Sequence, residues 1–121
     1  MANKYELTDH TKVVNGHTLH QIKALKDFSN VKKDDLGGWI ESYQNLSQSG
    51  NAWVYDDAEV FENAKVYDNA KVYGYAKVYG NARIYDDACI FDFANVCGHA
   101  HVCGDAKFGR DLSIDENNLT L

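Results

Sequence analysis

Alanine recurs every six residues ten times without a slip, at Ala52, Ala58, Ala64, Ala70, Ala76, Ala82, Ala88, Ala94, Ala100 and Ala106. Two places after each stands Val54, Val60, Val66, Val72, Val78, Ile84, Ile90, Val96, Val102 or Phe108; the next step brings Leu112 and Ile114. A six-residue period matches neither a helix nor a long strand. Within each hexad, though, Ala-x-Val is a local alternation: Ala and Val face one way and the residue between them faces the other. An aromatic and two turn formers follow, as in Asp56-Asp57, Asp68-Asn69, Gly80-Asn81, Asp86-Asp87 and Gly104-Asp105. Such residues tolerate the backbone angles of a tight corner. The chain has no proline, so Gly, Asn and Asp must make every corner. Each hexad is therefore a short strand plus a corner, and three hexads close one triangular coil. Successive coils stack at ~4.8 Å through backbone hydrogen bonds.

Small Ala beside branched Val suits a narrow triangular interior. Burying a Val stabilises by roughly 1.5–3 kcal/mol before ordering costs. One coil buries too little alone; stacked coils share one core. The hexads "VYDDAE" at 54–59 and "VYGNAR" at 78–83 place an aliphatic and a small residue as the hexapeptide-repeat, left-handed parallel β-helix proteins do. The chain resembles that family over 52–114. The resemblance implies an all-β, left-handed triangular solenoid of about four coils with 18 residues each. The second hexad position departs from the family pattern, holding Tyr or Phe where a small or acidic residue is usual. More narrowly, "KALKDF" and "DLGGWIESYQNLSQSGNAWVY" are similar to uncharacterised bacterial and prophage proteins with long N-A-x-V-Y-G arrays.

Residues 1–39 do not keep the period. Asn15-Gly16, between β-favouring residues, signals a hairpin. A solenoid's open end exposes unpaired strand edges. Two units follow: a hairpin-containing capping segment, 1–39, and a repeat β-helix, 40–121. Coiling is expected to begin near Ile40, with Leu46 in the Ala column, and the tail from Asp111 reads as a final half-coil. No apolar run is long enough to span a membrane, and the first residues lack a signal peptide's apolar core. Three cysteines fit a reducing compartment better than a disulfide framework. These features point to a cytoplasmic protein.

Of the net charge of −6, residues 1–39 carry six Lys and five acids, and residues 40–121 carry six Lys/Arg and thirteen acids. The acidic repeat region is a poor surface for gripping nucleic acid directly. Asp68, Asp86, Asp87 and Asp105 share one corner, with Lys65, Arg83 and His101 on the adjoining side. That ridge could imitate phosphates, which would suit a prophage-encoded inhibitor of a host nucleic-acid-binding defence protein such as a CRISPR nuclease.

"CGHAHVC", Cys97 to Cys103, has the letters of a soft-metal site. Spacing separates them: Cys97 and Cys103 lie on different sides of the triangle, and His99 lies at a corner. Only His101 and Cys103 share a side, so no metal or other cofactor is expected. Hexapeptide-type acyltransferases carry a catalytic His beside a loop thrown out of the helix. Unbroken hexads from 52 to 111 leave no room for one, and His10, His17 and His20 all fall in the cap. Some repeats of this kind are metalloenzymes with three converging His, a set absent here. The chain is therefore expected not to be an enzyme.

The aromatics give the clearest functional signal. Stacking by 18 puts Trp53 on the side of Tyr55, Tyr73 and Phe91, with Tyr75 and Phe93 at the next corner, where other corners have Asn or Asp. A face made of Trp53, Tyr55, Tyr73, Tyr75, Phe91 and Phe93 is the expected partner-binding surface. Its partner would be a second copy of the chain or another protein.

Overall fold

A computed structural model describes residues 3–110 and 112–116. It is all-β apart from a 3-10 turn at Tyr43–Asn45. The strands are β1 (Tyr5–Val14), β2 (His17–Ala24), β3 (Leu36–Ile40), β4 (Trp53–Val54), β5 (Glu59–Val60), β6 (Lys65–Val66), β7 (Lys71–Val72), β8 (Lys77–Val78), β9 (Arg83–Ile84), β10 (Cys89–Ile90), β11 (Asn95–Gly98), β12 (His101–Val102), β13 (Lys107–Phe108) and β14 (Ser113–Glu116). Three sheets form the sides of a β-solenoid, with orders β1-β2-β3-β5-β8-β11-β14, β4-β7-β10-β13 and β6-β9-β12. The repeat strands pair in parallel and in register at 18 residues, as for Val60, Val78 and Val96. The hexapeptide period is thus realised as about four stacked coils.

Each aliphatic column runs up the inside of one side. Ala52 to Ala100 and Val54 to Val102 are 0–1% exposed at every hexad, forming one continuous core. The first corner residue of each hexad takes a left-handed conformation, as at Asp56, Glu62, Asp68 and Asp86, or is Gly, as at Gly74, Gly80 and Gly104. Asp, Asn and Gly carry the least steric penalty there. The first of the two turn residues in most hexads therefore sits where the backbone requires it.

The phase of the first coil differs from expectation. Leu46 bridges Val66, in the aliphatic column, at a separation of 20 residues. By Asn51 the 18-residue register is in place, its N–H donating to the Asp68 carbonyl at 3.0 Å. The corner between them is two residues longer than a standard one, so Leu46 is not in the Ala column. Parallel pairing on the next coil starts at Trp39 with Glu59 and continues with Ile40 and Val60. β3 itself crosses the expected 39/40 division.

The β1–β2 hairpin extends one sheet past the first coil, antiparallel to β3. Coil carbonyls that lack a backbone N–H partner above find side chains instead. Lys4, fully buried, donates from Nζ to the Ala52 carbonyl (2.7 Å), Tyr5 Oη donates to the Leu46 carbonyl (2.6 Å), and Asn45 Nδ2 donates to the Ala64 carbonyl (2.8 Å). Buried polar groups left without partners are costly, which explains why these polar side chains tolerate burial. Burial, with the charge of Lys26, pulls the Lys4 ammonium down to about 8. The glycine pair of "DLGGWI" is forced by close approach. A Cβ on Gly37 would lie 2.6 Å from the Val54 carbonyl, and one on Gly38 2.6 Å from Val54 Cγ1. The expected half-coil in the tail is described only as far as β14; the remainder lies outside the described residues.

Candidate functional site

The aromatic residues divide into two groups. Phe61 stacks on Tyr79 and Tyr67 on Tyr85, each pair with centroids 5.1 Å apart and planes 7° apart. Tyr73 and Phe91 stack at 5.4 Å, both half-buried. These rings lie along the sides and reinforce the coil spacing. Tyr75 and Phe93 differ: they stack at 5.1 Å and 5°, at a corner, and remain 56% and 57% exposed.

Trp53 does not belong to the exposed face expected from the sequence, because it is 1% exposed. Tyr5 meets its ring edge-on at 6.0 Å and Phe28 at 5.2 Å, so the N-terminal segment covers it. Tyr55 is also partly covered, donating its hydroxyl to Asn30 Oδ1 at 2.8 Å. Of the six residues, Tyr75 and Phe93 stand out in solvent, with Tyr73 and Phe91 beside them.

Asp68, Asp86, Asp87 and Asp105 are exposed, and Lys65, Arg83 and His101 form one in-register column on the adjoining side. Two of the carboxylates also serve the stack. Asp68 Oδ2 accepts from Asp86 N–H (3.2 Å), and Asp86 Oδ2 from Gly104 N–H (3.0 Å). Asp56 and Glu62 do the same for Gly74 and Gly80 at their own corners. An acidic corner residue thus satisfies the N–H of the corner one coil on. Cys97 lies in β11, where its thiol donates to the Ile114 carbonyl, whereas Cys103 follows β12 in a different sheet.

Sequence reasoning missed a cleft beside the hairpin. It has a volume of about 610 Å³ and is lined by His17, Glu41, Ser42, Gln44, Glu62, Asn63, Gly80 and Asn81. His17 opens β2, so the tight Asn15-Gly16 turn delivers it to the coil. Its Nδ1 lies 2.9 Å from Glu41 Oε2 and its Nε2 3.2 Å from Glu62 Oε2. Both carboxylates are fixed by backbone: Glu41 Oε1 accepts from Glu62 N–H (2.8 Å), and Glu62 Oε1 from Gly80 N–H (2.9 Å). The hydrogen bond to Glu41, with the charges of Glu41 and Glu62, outweighs desolvation and raises His17 above its ordinary 6.5. Burial pushes the Glu41 carboxyl up, but the hydrogen bonds from His17 and Glu62 N–H and the His17 charge together hold it lower. Such a His–carboxylate pair can store or accept a proton. No local motif announces it, since 24 residues separate His17 from Glu41.

No protein-family model matches the chain. Among curated proteins it is similar to the uncharacterized acetyltransferase YdcK of Escherichia coli (strain K12), 47% identical over 38 residues. That stretch is 31% of this chain and 12% of the relative, so the chain spans a small part of that protein's length. The match and the β-solenoid architecture agree with the resemblance to hexapeptide-repeat proteins. They also correct one expectation. The reading of the chain as non-enzymatic is overturned by a relative that bears the name of an acetyltransferase.

Proposed function

We propose that this β-solenoid acts as an interaction module that associates with a second copy of itself through Tyr75 and Phe93, flanked by Tyr73 and Phe91. The observation that carries this reading is a stacked aromatic pair more than half exposed at a corner, where Asn51, Asn69 and Asp87 stand at equivalent places. The rings do not need that exposure to stabilise the stack, because the ladders along the sides already do so half-buried. A flat two-ring ladder is self-complementary under two-fold symmetry, which suits a pairing of identical chains. Replacing Tyr75 with Asn and Phe93 with Asp restores corner residues that the repeat already uses. The double variant is expected to keep its fold while association weakens by about 2–4 kcal/mol, the loss of two hot-spot residues. Sedimentation of wild type and variant at matched concentration measures this. A wild type that remains monomeric, or a variant that associates equally well, defeats the proposal.

A second reading, acyl transfer, is favoured by the His17–Glu41 pair in its cleft together with the acetyltransferase name of the relative. Glu41 would orient the imidazole through Nδ1, and Nε2, once freed from Glu62, would take a proton from an acceptor amine or hydroxyl. A base must be neutral, so the rate of acetyl transfer from a small acetyl thioester to an amine should rise with pH through the raised His17 value. The stabilising clasp follows the opposite sign. Below the ordinary histidine range it is fully present, and it is lost as pH rises through the folded-state value. On the acid side it fades as Glu41 is protonated below the usual carboxylate range. A pH–rate profile that is flat through the imidazole range, or unchanged in His17→Gln, removes this reading.

A further inference from the structure

The outward column of one side reads Trp53, Lys71, Cys89 and Lys107, paired in register across β4, β7, β10 and β13. Trp53 is roofed by the N-terminal segment, and the column emerges from that roof at Lys71. Two clefts open there. One, of about 360 Å³, is walled by Tyr55, Tyr73 and Asn30; the other, of about 330 Å³, by Ser29, Asn51 and Asp87. Lys71 and Cys89 line both. A thiol and an amine borne on adjacent parallel rungs, the rungs ~4.8 Å apart along the stack, therefore line the same two small-molecule-sized clefts. Cys89 is partly exposed and forms no disulfide. Its thiol makes a long polar contact, 3.9 Å to the Asp87 carbonyl.

We infer that Cys89 and Lys71 form an acyl-relay site that takes an acyl group from a thioester onto the lysine. In the first step the Cys89 sulfur, as thiolate, attacks the thioester carbonyl. The donor's C–S bond breaks and the donor thiol leaves with the proton. In the second step the neutral Lys71 Nζ attacks the same carbonyl. A C–N bond forms, the C–S bond to Cys89 breaks, and the proton lost by nitrogen returns to the sulfur. The products are an acylated lysine and a restored thiol, with no oxidant or reductant consumed. A thiol accepts an acyl group from a thioester readily because the exchange is nearly thermoneutral, and an amide holds it. Proximity supplies the selectivity, since the second step is intramolecular. The walls of Tyr55 and Tyr73 suit a donor with a short apolar acyl group.

The repeat contains its own controls. Lys65 pairs with Arg83, and Lys77 pairs with Glu59 and Asn95; both lysines are exposed and neither is paired with a cysteine. The full chain is incubated with the acetyl thioester of N-acetylcysteamine, and acetylation at each lysine is followed over time by peptide mass spectrometry. Lys71 is expected to acetylate roughly tenfold faster than Lys65 and Lys77, a small fraction of what proximity can provide. Cys89→Ala should bring Lys71 down to the rate of those two. Removing both flanking amines with Lys71→Arg and Lys107→Arg should instead leave a hydroxylamine-labile acetyl group accumulating on Cys89. Equal Lys71 rates in wild type and Cys89→Ala overturn the relay. So does a thioester on Cys89 that persists in the wild type with both lysines present. These substitutions are outward and leave Tyr75, Phe93 and His17 unchanged, so failure of the relay is distinguishable from failure of either functional reading.

Discussion

Val78→Asp should unfold the coils around β8, whereas Lys77→Asp, one residue away, should cost far less and leave the stack folded. Val78 is 0% exposed and sits in the column Ile40, Val60, Val78, Val96 and Ile114. That column is aliphatic throughout and offers a carboxylate no partner. Leaving a buried charge without a partner costs about 3–5 kcal/mol, and the lost Val burial adds roughly 1.5–3 kcal/mol. Against a domain stability of about 5–15 kcal/mol, that total consumes much or all of the margin. The coils hold one another by nearest-neighbour contact, so failure at β8 separates those below it from those above. Lys77 points outward and is 46% exposed at its side chain, with a long 4.0 Å contact to Glu59. Reversing its charge places an acid beside Glu59, whose side chain is 9% exposed but keeps its 2.7 Å ion pair with Lys12, so the cost should be real yet well below that of Val78→Asp. Urea denaturation of the two variants checks the contrast. Similar midpoints would show that the inside and outside of the solenoid have been exchanged.

The sequence carried this inside/outside pattern because the solenoid is one-dimensional. Each hexad repeats the same local problem, and the residue types answer it the same way ten times. Ala and Val mark the interior, and Asp or Gly marks most of the left-handed corners, with Glu62 and Arg110 at the others. What the period could not convey is anything built where it is broken. The corner at 47–49 is longer than a hexad allows, so Leu46 fell into the wrong column. Lys4, Tyr5 and Asn45 cap coil carbonyls through side chains separated from their acceptors by 19 to 48 residues. His17 reaches Glu41 and Glu62 only because the hairpin folds back over the first coil. Within the repeat, register did place Lys71 beside Cys89 and Tyr75 beside Phe93. It could not show that Trp53, in the same outward column as Lys71, lies beneath a roof.

Burial of Trp53 carries the last prediction, because it separates stability from association. An outward Trp on a bare solenoid side would be a binding residue, and its loss would weaken assembly. Here Tyr5 and Phe28 close over the ring, with Phe28 itself under the Lys4 ammonium at 5.1 Å. Trp53 is thus the point at which the N-terminal segment grips the first coil. Trp53→Ala empties a fully buried site, and a buried Trp→Ala change costs about 3–5 kcal/mol. The cost should fall on the junction first. Amide exchange is expected to quicken at Ile22, Ala24 and Val31, which pack in the same core, while more distant rungs such as Ile84 and Val102 keep their protection. Trp53→Phe should recover most of the loss, since a smaller ring still meets Tyr5 and Phe28. Sedimentation at a temperature where Trp53→Ala remains folded should match wild type, in contrast to the Tyr75→Asn, Phe93→Asp pair, which should dissociate at unchanged stability. If Trp53→Ala instead weakened association while its urea midpoint stayed at the wild-type value, the ring would be contacting a partner rather than the segment that covers it.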